Sequence, residues 1–209
     1  MNLIEKLNWR YATKSMNGDT IPQGKMDRIL EAIRLAPSSF GLTPYKVIVV
    51  QRPELREDLK IACWGQQQIV DASAVLVFAA KTNIDENLVD EFIVEVANSR
   101  GMDVESLDQY RYAVNLNVTQ MTQEQRVEWA KKQAYIGLGF GLVAAATENV
   151  DSTPMEGFMA DHVDLVLNLS SENLTSACIL TLGYRDETKD YLANVPKFRF
   201  EKEKFFKFM

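Results

Sequence analysis

Residues 124–150 carry a helical pattern whose first turns are charged (Glu124, Arg126, Glu128, Lys131, Lys132) and whose remainder is nearly all apolar. A helix that is hydrophobic on every side has to be enclosed. This one must therefore run from the surface into the centre of the fold, with other elements packed round it. Residues 74–80 make the same demand in extended form, as a short continuous apolar run that reads as a strand buried on both faces. With 209 residues, 46% of them hydrophobic, the chain can bury one sizeable core but is too short for two ordinary domains. A single domain over residues 1–209 is the expectation.

The remaining elements follow from local signals. Leu3, Ile4 and Leu7 open the chain with a short amphipathic helix, and residues 17–20 form a turn. Pro22 lies inside the start of a second helix, whose buried face is Met26, Ile29, Leu30 and Ile33. Ala36-Pro37 ends it, and a polar loop over residues 38–44 delivers the chain into a β-branched strand, residues 45–50. Pro53 opens a helix that runs to about Cys63, and Gly65 breaks it. Residues 84–117 are helical and richly charged, a pattern that solvated helix faces routinely show. Tyr110 and Tyr112 in that stretch are either aromatics beside a pocket or core. Residues 154–158 read as a turn, a helix surrounds His162 to Leu169, and residues 176–183 form a third apolar strand. The basic, aromatic end of the chain is suited to packing on a partner subunit.

The run Gly137-Leu138-Gly139-Phe140-Gly141 superficially suggests a dinucleotide fingerprint. That motif has to follow a strand and open a helix, whereas this one sits inside a helical pattern and lacks the last glycine spacing. Close helix packing, within the chain or across a subunit interface, explains the small residues better.

A formal charge of -6 argues against nucleic-acid or anionic-membrane partners, which need a net basic face. Any anion site must then be local, and two segments can build one. Arg10 and Lys14 stand four residues apart near the start, and Lys197 and Arg199 share one face of an extended segment near the end. Cys63 and Cys178 have no metal spacing and no disulfide framework, which points to a reducing compartment. With no apolar signal core at the start and no run of about eighteen apolar residues, a soluble, cytoplasmic protein is expected. His162, the single histidine, cannot form a histidine metal cluster, and between Asp161 and Asp164 it reads as a surface or packing residue. No nucleophile-elbow motif and no phosphate-binding Gly-x-x-x-x-Gly-Lys loop occurs. With few acid/base candidates but several separated cations, the economical reading is an organic cofactor that carries the reaction, its phosphate held by the cations.

Arg10-Tyr11-Ala12-Thr13-Lys14, Ala36-Pro37-Ser38-Ser39 with Pro44-Tyr45, Gly65-Gln66 leading to Asp71-Ala72-Ser73, Pro154-Met155-Glu156-Gly157, and Pro196-Lys197-Phe198-Arg199 together resemble the ordered signature of the FMN-dependent nitroreductase family. The match spans nearly the whole chain. It implies an α+β fold with a central, mostly antiparallel sheet between helices, the C-terminal segment packing on the partner of a homodimer, and FMN bound tightly at the interface. Carried over by position, Arg10, Lys197 and Arg199 would grip the phosphate beside Tyr11 and Ala12, and Lys14 would lie near N1 and O2 of the flavin ring. Pro37, Ser38 and Ser39 would reach the flavin from the other subunit. Gly65, Gln66 and Gln68 would meet its pyrimidine and ribityl side. Pro154, Met155, Glu156 and Gly157 would line the ring, with backbone N–H groups of Glu156 and Gly157 facing N5 and O4. Lys14 and Glu156 are the catalytic candidates, and Phe40, Tyr110 and Tyr112 the candidates for the substrate side. No metal is implied.

By that resemblance the activity is NAD(P)H-dependent: hydride passes from NADH or NADPH through flavin N5 to a nitroaromatic, quinone or similar small acceptor, by a ping-pong mechanism. The alternatives are an FMN-binding or storage protein without turnover, and a reductive dehalogenase-type member of the same superfamily with residues 84–117 as its lid. The chain departs from the pattern in places. Ala12 stands where many relatives carry Ser, a hydroxyl worth about 0.5–1.5 kcal/mol. Thr43 takes the place of a long polar residue, and Gln68 that of a lysine found in some members.

Overall fold

The computed structural model describes residues 2–209, so Met1 of the expected 1–209 domain lies outside the described residues. In chain order the elements are α1 (Leu3–Trp9), α2 (Gln23–Arg34), a 3-10 turn (Ser39–Gly41), β1 (Tyr45–Val50), α3 (Pro53–Ala62), α4 (Gln68–Asp71) and β2 (Ala74–Lys81). Then come α5 (Glu86–Arg100), a 3-10 turn (Val104–Leu107), α6 (Asp108–Thr119), α7 (Gln123–Thr147) and β3 (Asp151–Met155). The chain closes with α8 (Ala160–Val166), a 3-10 turn (Leu169–Glu172), β4 (Leu174–Gly183) and α9 (Lys202–Phe205).

The sheet has the order β1-β2-β4-β3, and every neighbouring pair is antiparallel. This is the α+β architecture that the resemblance implied. β2 and β4 are central, and every residue of β2 except Lys81 is buried. Alternation sorts its side chains to two cores. Leu76 and Phe78 join Ile29 and Ile33 of α2, Leu138 and Ala145 of α7, and Leu180 of β4 on one face. Val75 and Val77 join Leu59 of α3, Ile69 of α4, Val163 of α8 and Ile179 of β4 on the other. A third cluster, with Ile93, Val114 and Ala130, holds α5 and α6 against the start of α7.

α7 meets the expectation of an enclosed apolar helix on one face only. Thr122 caps it, its side chain accepting from the Gln125 N–H while the Gln125 side chain returns to the Thr122 N–H. One face of the helix is then buried from Ala130 to Ala146, while Tyr135, Ile136, Phe140 and Val143 on the other are exposed. Gly137 lets the helix approach β1, because a Cβ there would stand 2.4 Å from the Tyr45 hydroxyl. Gly141 does the same toward Ile33 and Leu180. Gly137 and Gly141 are thus packing devices inside the chain, whereas Gly139 has open space beside it.

Three expectations are corrected. Residues 154–158 are not simply a turn: Pro154 and Met155 end β3, which pairs with β4 from Asp151↔Gly183 to Met155↔Ile179. Proline is tolerated because β3 is an edge strand, where its missing N–H interrupts no ladder. β4 is accordingly the fourth strand and not the third. Pro22 lies before α2 as its N-cap residue, outside the helix. No helix among the described residues is long and apolar enough to cross a membrane.

Candidate functional site

α1 ends at Trp9, and Arg10 leaves it in extended conformation. The chain then runs beside β3 through a parallel bridge between Ala12 and Ser152. Thr153 Oγ1 donates to the Thr13 carbonyl at 2.5 Å, fixing the basic turn to the same strand. On the other side Asp190, only 5% exposed, accepts from the Lys14 N–H at 2.8 Å and from the Tyr11 hydroxyl at 3.1 Å. Its second oxygen accepts from the Leu192 N–H at 2.9 Å. One buried carboxylate therefore ties the N-terminal turn to the segment that leads to Lys197. Burial, and then the bond to Asp190, push the Tyr11 phenol up to about 12.

Behind the turn lies a buried ion pair. The Arg185 guanidinium donates to Asp151 at 2.6 and 2.9 Å and is sandwiched between the Trp9 and Tyr11 rings, 4.5 Å from each centroid. Asp151 is consequently engaged and leaves the cations in front of it without a committed anion. Lys197 donates to the carbonyls of Leu7, at 2.5 Å, and Arg10, closing the negative end of α1. Arg199 follows two residues on, bonded to the Phe198 carbonyl at 2.6 Å.

The electrostatics of Arg10, Lys197 and Arg199 show how close the three lie. Burial lowers the pKa of Arg10 and the Arg199 charge lowers it further, against Asp151, which raises it. Burial likewise lowers that of Lys197, followed by the charges of Arg10 and Arg199. Arg10 Nε is buried with no hydrogen-bond partner among the described residues. Gathering like charges round an unsatisfied donor costs free energy that a bound anion would return. Beside Ala12, the Ser152 hydroxyl is also buried without a partner.

β3 leads from this cluster to the second group of expected residues. Gln66 Nε2 donates to the Gly157 carbonyl at 2.7 Å, and Gln68 Nε2 donates to Gln66 Oε1 at 2.9 Å. Gln66 is thereby brought against Gly157, with Gln68 bonded behind it, while Gly65 makes no such contact. The Glu156 carboxylate reaches across to α7, where it accepts from the Tyr135 hydroxyl at 2.5 Å. Burial and then that bond raise the Tyr135 pKa. Tyr135, Leu138, Leu142, Pro154, Met155 and Glu156 enclose a cleft of about 420 Å³.

The third group is held by α7 and α6. Ser39 donates its N–H to Gln133 Oε1 of α7 at 2.9 Å, and the Ser38 hydroxyl accepts from the Thr43 N–H at 2.9 Å. Tyr110 donates to the Phe40 carbonyl, so Phe40 and Tyr110 are held together, with Pro37 exposed beside them. Tyr112 is not part of that contact and is 69% exposed on α6. His162 is exposed on α8 and takes part in none of these contacts. Asp190, Gln133, Tyr135 and Trp64 hold or border these groups although no motif marked them. Only Tyr135 carried a signal, as a hydroxyl in the apolar half of α7.

The model of the nitroreductase family matches residues 7–184, and the chain belongs to that family. A Bacillus subtilis protein that carries the provisional name NAD(P)H nitroreductase YfkO is 33% identical over 199 residues, 88% of each chain. A Staphylococcus saprophyticus protein with the same kind of name is 31% identical over 90% of each chain. Among solved structures, ydfN of Bacillus subtilis, provisionally named a nitroreductase, superposes with a TM-score of 0.86 at 20% identity, covering 99% of this chain and 98% of its own. An Exiguobacterium sibiricum protein with the same provisional name, solved in complex with FMN, gives 0.83 at 19% identity, over 100% and 98%.

Proposed function

We propose that this chain is an FMN-dependent oxidoreductase that takes electrons from NADH or NADPH and passes them to a small oxidised acceptor such as a nitroaromatic or a quinone. The observation that carries the reading is the cluster of Arg10, Lys197 and Arg199 round a buried, unpartnered Arg10 Nε, which fits a dianionic phosphate. Charge-assisted hydrogen bonds to such a group are worth about 1.5–3 kcal/mol each, and the guanidinium fork suits phosphate oxygens. The names of the relatives and the FMN in the Exiguobacterium complex support the same cofactor and donor.

When bound, FMN would supply reversible two-electron chemistry, alternating between donor and acceptor in ping-pong order. The chain's own residues would orient it. Arg10, Lys197 and Arg199 would hold the phosphate, with Tyr11 and Ala12 beside them. The Lys14 ammonium makes no hydrogen bond with the described residues and would place positive charge at the ring edge that becomes anionic on reduction. Gly65, Gln66 and Gln68 would contact the polar side of the ring. Pro154, Met155, Glu156 and Gly157 would line it, the backbone N–H groups of Glu156 and Gly157 donating without adding a titrating group.

Pro37, Ser38, Ser39, Phe40 and Tyr110 would complete the site from a second copy, with Tyr112 near the entrance, so the working unit is a homodimer. Ile136, Gly139, Phe140 and Val143 of α7 line an open apolar groove of about 720 Å³, which suits that contact. The exposed tail phenylalanines Phe198, Phe200, Phe205 and Phe206 suit packing on the partner. The whole chain, residues 1–209, would act as one cytoplasmic FMN-binding unit.

The test is to purify the protein, measure its FMN, and titrate it anaerobically with NADH and with NADPH. Bleaching of the flavin band by either donor, followed by reoxidation with 4-nitrobenzoate or menadione in stopped flow, is the expected result. A flavin-free preparation that takes up no FMN overturns the assignment, as does a reduced protein that returns electrons to neither acceptor.

A further inference from the structure

Among the described residues, six non-glycine residues have positive φ, and three of them are asparagines, for which the left-handed region is ordinary. Of the others, Phe40 and Thr43 lie in the loop already assigned to the site. The remaining one, Trp64 at φ 56, has no assigned role.

Trp64 follows Cys63, the C-cap of α3, and the next N–H, that of Gly65, returns to the Lys60 carbonyl at 2.8 Å. This is the left-handed helix stop in which glycine is the usual residue, because a Cβ crowds the backbone there. α5 meets the same requirement with Gly101 at φ 61. α3 meets it with the bulkiest side chain available and does not bury it. Trp64 is 66% exposed, so no core packing offsets the backbone strain. Its indole lies where a Cβ on Gly157 would meet it, 3.0 Å from Cζ3 and 3.2 Å from Cε3. Gln66, 3.2 Å from the same point, bonds the Gly157 carbonyl and fixes that loop beneath the ring. A strained, exposed aromatic held over a loop assigned to the cofactor has the form of a functional compromise.

We propose that Trp64 is a specificity-determining residue, whose indole stacks on planar, electron-poor aromatic acceptors as they approach the flavin site. This rests on the flavin reading above. An indole face is electron-rich, and offset stacking on an electron-poor ring favours nitroarenes and quinones over non-aromatic oxidants of equal driving force. The strain then has a use: a glycine at position 64 would stop α3 at lower cost but would leave the acceptor without a platform.

Three variants of the holoprotein test this: Trp64→Gly, Trp64→Leu and Trp64→Phe. FMN content is measured in each, with KM and kcat for 4-nitrobenzoate and for ferricyanide, the dissociation constant of the non-reducible analogue benzoate from the flavin difference spectrum, and the thermal midpoint. Trp64→Gly is expected to melt at a higher temperature than the wild type while binding benzoate up to about tenfold more weakly. Trp64→Leu should raise KM for 4-nitrobenzoate by a similar factor and leave ferricyanide turnover unchanged. Trp64→Phe should restore most of the aromatic preference. Equal changes with both acceptors, or unchanged benzoate binding in the glycine and leucine variants, refute the role of Trp64 while leaving the flavin reading intact. A wild-type protein without FMN overturns both.

Discussion

At the scale of single residues, the basic turn separates into two tasks. Arg10 faces the other cations, while Lys14 has its backbone fixed by Asp190 and its ammonium uncommitted. Replacing Lys197 and Arg199 together by alanine is expected to weaken FMN binding by about 2 kcal/mol or more. Equilibrium dialysis of FMN checks this, with circular dichroism to show that the fold survives, and an unchanged flavin content would sink the phosphate assignment. Lys14→Ala should instead retain FMN and lower its reduction potential, because the charge that favours the reduced anion is gone. A dye-equilibration titration reads that shift. Ala12, the departure most exposed in the sequence, turns out to face Ser152 across a bridge, so a hydroxyl absent at one position is present beside it at another.

At the scale of elements, α7 is the frame on which the groups meet. It carries Gln133 toward the Ser39 loop, Tyr135 toward Glu156, and glycines toward β1 and β4. Its placement depends on the absence of a side chain at 137. Gly137→Ala would gain about 1 kcal/mol of helix propensity. It would also drive a Cβ to 2.4 Å from the Tyr45 hydroxyl and 3.0 Å from Cζ of a ring that is itself only 7% exposed. Overpacking of this kind costs about 1–3 kcal/mol, so a net loss of stability in urea unfolding is expected, with Tyr45 displaced. A variant as stable as the wild type would mean that the ring yields freely.

At the scale of the whole molecule, two predictions concern association and alkaline stability. Phe140, 41% exposed in the apolar groove of α7, is expected to lie in the homodimer interface. Phe140→Asp should therefore shift the sedimentation of the protein from dimer to monomer and reduce bound FMN with it; a dimer of unchanged strength would remove α7 from the interface. The second prediction follows from buried protons. Burial pushes the thiols of Cys63 and Cys178 up to about 12 from an ordinary value of 9.0, and Tyr11 moves in the same direction. Between pH 9 and pH 12 the unfolded chain binds fewer protons than the folded one at these groups, so their stabilising contribution is complete below pH 9 and is lost as pH rises toward 12. Urea midpoints measured from pH 8 upward should fall through that window. A flat profile would show that the thiols titrate as in an unfolded chain.

Local signals account for the part of the fold that is legible along the chain. The apolar run of β2, the charged-to-apolar course of α7, the Pro53 opening of α3 and the motif residues of a nitroreductase could each be read in place, because such patterns act over a few residues. Tertiary structure decided the rest. β3 is short, polar and contains a proline, and only pairing with β4 and burial against the basic turn make it a strand. Arg10 and Lys197 are 187 residues apart, and what joins them is the Asp190 carboxylate and the end of α1, neither of which has a sequence signature. Trp64 followed the same rule in reverse: glycine is the residue a left-handed helix stop announces, and the tryptophan there became visible only through the sign of its φ and the loop beneath it. The difference is physical, since long-range pairing and strain are set by groups that meet only after the chain has folded.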